Sequence, residues 1–226
     1  MASLSRSGDR PMKRHDLVFV SPAGWRSLLA AHGDLAADPL VSSWVDRGWP
    51  LIGRRAVPDE AHGVALGLPL PPFAGKRRLS FVMPPEHIVS TAPPPALSAA
   101  IPVAPRVWWP TLEALDELAS RHGVEARVFG SLAWRALTGL DYLTASSDLD
   151  LLLHVHRDTD IARLATELAG IEALAPMRLD GELIRDDGAA VNWRECHAGA
   201  REVLVKSLAG VALLDTRLFL RGGMAS

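Results

Sequence analysis

Two apolar runs, Ala126 to Phe129 and Leu149 to Val155, are too short for helices and are bounded by turn residues, so each reads as a strand. What closes the first and opens the second constrains this chain most: Gly130-Ser131 follows one, and Asp148 and Asp150 begin the other. Residues two apart in a strand share a face, so Asp148 and Asp150 project together while Leu149 and Leu151 enter the core. Between the strands, Ser131 to Leu137 reads as a short helix with Ser131 as its N-cap and Gly139 just past its end. The first turn of such a helix offers free N–H groups and a positive dipole end to a phosphate. Taken singly, a Gly-Ser turn is an ordinary cap, and Ser-Asp-x-Asp is an ordinary solvated strand entry. Their order sets an anion-receiving turn beside paired carboxylates that suit a divalent metal, which predicts an enzyme of phosphoryl or nucleotidyl transfer.

A third acid is available in Met177 to Ile184, which alternates as a strand does and is followed by the turn Asp186-Asp187-Gly188 and a second strand-like run, Ala189 to Trp193. Asp180 in that hairpin is the first candidate. Glu182 has the same parity and competes with it, and a salt-bridged surface pair is the remaining reading. A third carboxylate in such a site holds or deprotonates the nucleophile.

The chain has 226 residues, 48% of them apolar, which supports one large core or two small ones, and its formal net charge of −2 provides no global basic field for a long nucleic acid. The single cysteine, Cys196, makes no internal disulfide and reads as a buried bystander. No stretch has the length of a signal peptide core or a membrane span, so a cytoplasmic protein without membrane contact is expected. Gly75-Lys76 lacks the preceding glycine spacing and the following Ser or Thr of a P-loop, which excludes a Walker-type ATPase. Arg54-Arg55 and Lys76-Arg77-Arg78 form basic clusters that either steer a polyanion or make a solvated face. His154 and His156, Trp108-Trp109 and Lys206 each carry a substrate-contacting reading beside a packing or surface one, Trp134 carries a reading as a stacking surface for adenine, and Glu195 one as a support behind the proposed acids. For Trp108-Trp109 the packing expected is between domains, and Glu195 is expected on the hairpin's second strand.

The fold class expected is α+β, with a small N-terminal α+β domain ahead of a mixed-sheet domain. Residues 1–13 are polar and aperiodic and read as a leader. Residues 14–92 carry strand patterns at Asp16 to Val20, Trp49 to Arg55 and Leu79 to Met83, and a helical pattern at Pro22 to His32. Residues 93–110, with Pro93-Pro94-Pro95, Pro102 and Pro105, read as an extended connector. Residues 111–226 then begin with a helix from Thr111 to His122, capped by Thr111. They continue through the strands above, with a helix over Thr159 to Ala169. Beyond Gly199, two short strands or one imperfect helix fit equally.

With these residues in place, the second half resembles the nucleotidyltransferase superfamily, whose pattern is Gly-Ser, a helix, Asp-x-Asp, and a third acid on a neighbouring strand. More narrowly, the chain is similar to the phosphoribosyl-dephospho-CoA transferases, the holo-acyl-carrier-protein synthases of the malonate decarboxylase system. The similarity runs in order through Arg14-His15-Asp16-Leu17-Val18, Gly48-Trp49-Pro50-Leu51, Leu66-Gly67-Leu68-Pro69, Gly75-Lys76-Arg77-Arg78, Val128-Phe129-Gly130-Ser131, Ser147-Asp148-Leu149-Asp150 and Trp193-Arg194-Glu195. The resemblance implies transfer of a prosthetic group from 2'-(5''-triphosphoribosyl)-3'-dephospho-CoA to a serine of the decarboxylase's acyl carrier protein, with release of pyrophosphate. It implies further that Asp148 and Asp150 hold Mg2+, that Gly130 and Ser131 receive the triphosphate, and that Asp180 is the third acid. Two other readings stay open: a nucleotidyltransferase with a different small-molecule or protein acceptor, and an inert member of the fold that serves as a binding or regulatory partner.

Overall fold

The computed structural model describes residues 12–57, 60, 62–207 and 210–220, so most of the expected leader, residues 1–11, lies outside the described residues. The chain divides into two compact units at Pro93/Pro94.

In the first unit, β1 (Leu17–Val20) leads into α1 (Pro22–Ala30), α2 (Gly33–Ala36) and α3 (Pro39–Ser42), followed by β2 (Leu51–Gly53), β3 (Val64–Pro69), β4 (Arg78–Met83) and β5 (Ile88–Ala92). The five strands form an antiparallel sheet in the order β4-β3-β2-β1-β5. Ser21 and Asp38 cap α1 and α3 through their side-chain oxygens, each followed by a proline that fits the first helical turn. Trp25 and Trp44 fill the core, and each buried indole N–H is satisfied, by the carbonyls of Val41 and Pro50 at 3.0 and 2.9 Å. β3 and β5 fell outside the strand patterns read from sequence.

The second unit comprises α4 (Leu97–Ala100), α5 (Trp109–His122), β6 (Glu125–Val128), α6 (Gly130–Thr138), β7 (Leu149–His154), α7 (Ile161–Glu172), β8 (Leu179–Ile184), β9 (Ala190–Asn192), α8 (Trp193–His197), β10 (Glu202–Lys206), β11 (Val211–Asp215) and α9 (Thr216–Leu220). Its six strands run β11-β10-β9-β8-β7-β6, with every neighbouring pair antiparallel except β7 and β8, which α7 connects in parallel. The α+β class is therefore observed. One face of the sheet is apolar: Leu149, Leu151, Leu153, Leu179 and Leu183 pack in one core cluster with Leu115 and Leu118 of α5 and Leu164 of α7. Each such leucine, withdrawn from water, contributes roughly 1.5–3 kcal/mol before the entropy of ordering it. Among the described residues, the opposite face buries a small apolar group, Leu152, Ile184 and Ala190 with Phe129 beside them, and this is the face that carries the acids.

The segment 93–110 is not an extended connector. Leu97 and Ala100 of α4 are fully buried and Ala104 and Trp108 nearly so, all within the second unit's own core. Apolar side chains spaced along short helical turns outweigh the prolines, of which Pro102 and Pro110 occupy first-turn positions that need no N–H. For the same reason α5 starts at Trp109 rather than at Thr111, whose side chain is buried instead of capping. Past Gly199 the two-strand reading is the one observed, as β10 and β11.

Candidate functional site

β7 alternates as its sequence requires. Leu149, Leu151 and Leu153 are at most 1% exposed on the core side, whereas Asp150 on the other side is half-buried. Asp148 stands one residue before the strand on the same parity, and pairing already reaches this end, since Leu149 N donates to Arg178 O at 2.9 Å. The parallel register sets Leu149 opposite Leu179 and Asp150 opposite Asp180. Registered neighbours in a sheet are separated by about 4.8 Å, so the two carboxylates share one spot on the open face. Glu182 is paired with Leu152 two positions along.

The turn before α6 is built against Asp150. Phe129 N donates to Asp150 O at 3.1 Å, which pins the turn to β7. Gly130 has φ of +61°, and a Cβ there would lie 1.7 Å from Asp150 Oδ2 and 2.5 Å from its Cγ. Only glycine tolerates both that backbone conformation and that approach. The N-cap of α6 is Phe129 in extended conformation, with no side-chain hydrogen bond to the first turn, so Ser131 is the second helical residue and not the cap. The correction has a chemical consequence, because first-turn N–H groups without a capping side chain are donors for an incoming anion.

Asp180 is held from the side. Asn192 Nδ2 donates to Asp180 Oδ1 at 3.2 Å, while Asn192 Oδ1 accepts from Arg194 N at 3.0 Å and caps α8. Asn192 was missed by sequence reasoning, although Asn192-x-x-Glu195 is a recognisable helix-start pattern. That same pattern explains why Trp193 and Glu195 lie on α8 and not on the hairpin's second strand. Glu195 Oε2 accepts from Leu204 N at 2.7 Å, and Trp193 Nε1 donates to Leu179 O at 3.2 Å. Glu182 is only 6% exposed and lies 3.2 Å from Lys206 Nζ, so Lys206 is the partner of a buried carboxylate rather than a loose surface cation.

Other candidates take structural places. Trp134 is buried against Tyr142, whose phenol pKa burial pushes up, which leaves no open ring face for a base. Trp108, expected to pack between domains, lies in the second unit's own core cluster. Burial, aided by the charge of Glu195, raises the Cys196 thiol to about 11, so it stays protonated at neutral pH. His156 is exposed, 3.8 Å from Asp186. In the first unit, Arg54 forks onto Glu60 and Arg77 reaches Asp38 at 3.2 Å, so each cluster spends an arginine on a local ion pair.

The donor set on the open face is hard oxygen, which fits magnesium: that ion needs only one or two carboxylates together with substrate phosphates and water. Among the described residues no three His, Cys, Asp or Glu side chains converge as a metal-ligating group. The Gly130 cradle against Asp150 is the observation that places such a carboxylate beside the uncapped first turn of α6.

Residues 13–94 match the family model for the phosphoribosyl-dephospho-CoA transferase MdcG N-terminal domain, and residues 96–217 match that for its C-terminal domain. The first match ends at residue 94 and the second begins at residue 96, beside the Pro93/Pro94 division of the structural units. A phosphoribosyl-dephospho-CoA transferase of Bradyrhizobium diazoefficiens is 59% identical over 226 residues, covering all of both chains. Those of Xanthomonas campestris pv. campestris and Pseudomonas putida are 40% and 34% identical, covering 91% and 88% of this chain and 96% and 92% of their own. No solved structure matches the chain. No helix among the described residues is long and apolar enough to cross a membrane.

Proposed function

Because this chain belongs to the phosphoribosyl-dephospho-CoA transferase family, we propose that it moves the 2'-(5''-phosphoribosyl)-3'-dephospho-CoA group from its triphosphate precursor to a serine of the malonate decarboxylase acyl carrier protein. The reaction joins the serine Oγ to the phosphorus on the ribose 5'' oxygen and breaks that phosphorus's bond to the bridging oxygen of pyrophosphate, which leaves with the electron pair. The product is a phosphodiester. In this reading the turn at Gly130 and Ser131 receives the triphosphate on the first-turn N–H groups of α6. Asp148 and Asp150 hold Mg2+, which when bound neutralises charge on the phosphate oxygens and lowers the barrier to displacement. Asp180, its carboxylate oriented by Asn192, accepts the proton of the serine hydroxyl, an otherwise poor nucleophile at neutral pH. A cytoplasmic setting and nucleotidyltransferase-type chemistry go with the proposal.

The observation that supports it most is the contact of Gly130 with the Asp150 carboxylate, since a metal-dependent displacement needs anion turn and acid within reach of one phosphate. The test is mass spectrometry of apo-carrier protein after incubation with enzyme, Mg2+ and the triphosphate donor. The expected result is a mass gain of one prosthetic group with wild type and none with Asp150→Asn, whose circular dichroism stays native. Full loading by Asp148→Asn and Asp150→Asn alike, or loading only from ordinary nucleoside triphosphates, would overturn the assignment.

A further inference from the structure

A cavity of about 520 Å³ opens at the C-terminal end of α6, lined by Val103, Ala104, Arg106, Trp109, Arg135 and Gly139. It shares no residue with the acidic face, yet α6 joins the two. Ser131 and Arg135 are four residues apart on one side of this helix, about 6 Å along its axis, and Gly139 follows one turn later. An elongated ligand whose phosphates sit on the Ser131 turn therefore reaches the cavity by following a single helix face.

The lining suits a second polyphosphate. Arg106 is exposed, lies over the Trp109 ring at 5.6 Å, and has no carboxylate partner among the described residues. Arg135 Nη1 meets Asp141 Oδ1 at 2.7 Å, but the Asp141 side chain is 80% exposed, and an exposed pair of this kind is worth about 0–1 kcal/mol and yields to a stronger anion. Guanidinium groups pair with phosphate oxygens through parallel N–H donors. Trp109 supplies a fixed apolar wall, its indole N–H held by Ala104 O at 3.1 Å.

Resting on the donor named above, we infer that this cavity binds the diphosphate of the dephospho-CoA arm, with Arg106 and Arg135 as its ligands. The donor carries two polyphosphates on different sugars: one would lie on the first turn of α6, and the other on the two guanidinium groups beside the far end of that helix.

The probes are 3'-dephospho-CoA and inorganic tripolyphosphate, titrated calorimetrically into the full chain. Arg106→Ala and Arg135→Ala are each expected to weaken dephospho-CoA binding about tenfold while tripolyphosphate affinity holds. Gly139 has φ of +73° with open space where a Cβ would go, so Gly139→Asp and Gly139→Asn strain the backbone alike and differ in charge. The Asp variant is expected to bind dephospho-CoA about tenfold more weakly than the Asn variant, a comparison that stands if an arginine variant misfolds. Unchanged dephospho-CoA affinity in the arginine variants overturns the inference, as does an equal loss for tripolyphosphate. Wild type that loads the carrier protein but shows no dephospho-CoA binding overturns the cavity alone; wild type that binds dephospho-CoA at these arginines but loads nothing overturns the reaction and leaves the cavity standing.

Discussion

Gly130 and Gly181 serve opposite faces of one sheet, and each keeps a Cβ out of space that another side chain uses. At Gly130 the neighbour is the Asp150 carboxylate, whereas at Gly181 a Cβ would stand 2.7 Å from Cδ1 of the Trp193 ring. On the open face the missing side chain makes room for a carboxylate, and on the covered face it makes room for an aromatic ring. The open face is itself divided, since Asp150 and Asp180 share a registered pair while Glu182, on that same face, is committed to Lys206.

The largest expected effect separates the two candidate third acids. Asp180→Asn should lower kcat/KM by roughly 10²–10⁴, the range for loss of a positioned general base, while Glu182→Gln should mainly lower the urea midpoint and keep the rate within about tenfold. The opposite outcome would exchange their roles. Next comes Gly130→Ala, which displaces the Asp150 carboxylate and holds an L-residue at positive φ. Transfer should fall about a hundredfold, with a folding cost of about 1–2 kcal/mol by urea denaturation.

Gly181→Ala reverses that profile. Overpacking against Trp193 should cost about 1–3 kcal/mol of stability, with kcat/KM for the surviving fold near wild type. If it abolished transfer without destabilising, the distinction between the faces would fail. The smallest effect belongs to the helix layer, where hydrogen bonds from Arg163 and Arg121 hold the Glu167 carboxylate at about 2. Because its folded pKa lies below the ordinary 4.5, its contribution is present above that value and fades as pH falls towards 2. Glu167→Gln should therefore melt below wild type at neutral pH, and the gap should close across that acid range in thermal scans.

What was legible in the sequence was local. A period of two put Asp148 and Asp150 on one side and the leucines on the other, and glycine at 139 marked the end of a helix, as observed at φ of +73°. The features that escaped depend on distant partners. Nothing near Lys206 announces Glu182, and nothing in Pro93 to Pro110 announces that Leu97 and Trp108 enter a core closed by β7 and α5. Trp134 reads as an available ring until the loop carrying Tyr142 covers it. The Asp180 placement lay between these cases: its parity was readable, but its partner depended on the register of two strands separated by α7.

That lone parallel pairing also limits how the protein can drift. Length changes between Val155 and Arg178 fall in the crossover, where turns and helix ends absorb them. Gaining or losing one residue at the Leu179 end of β8 would invert every side chain beyond it, turning Asp180 towards the core face. Tolerance to insertion is thus expected to stop abruptly at Leu179, and a scan of single-residue insertions would trace that border.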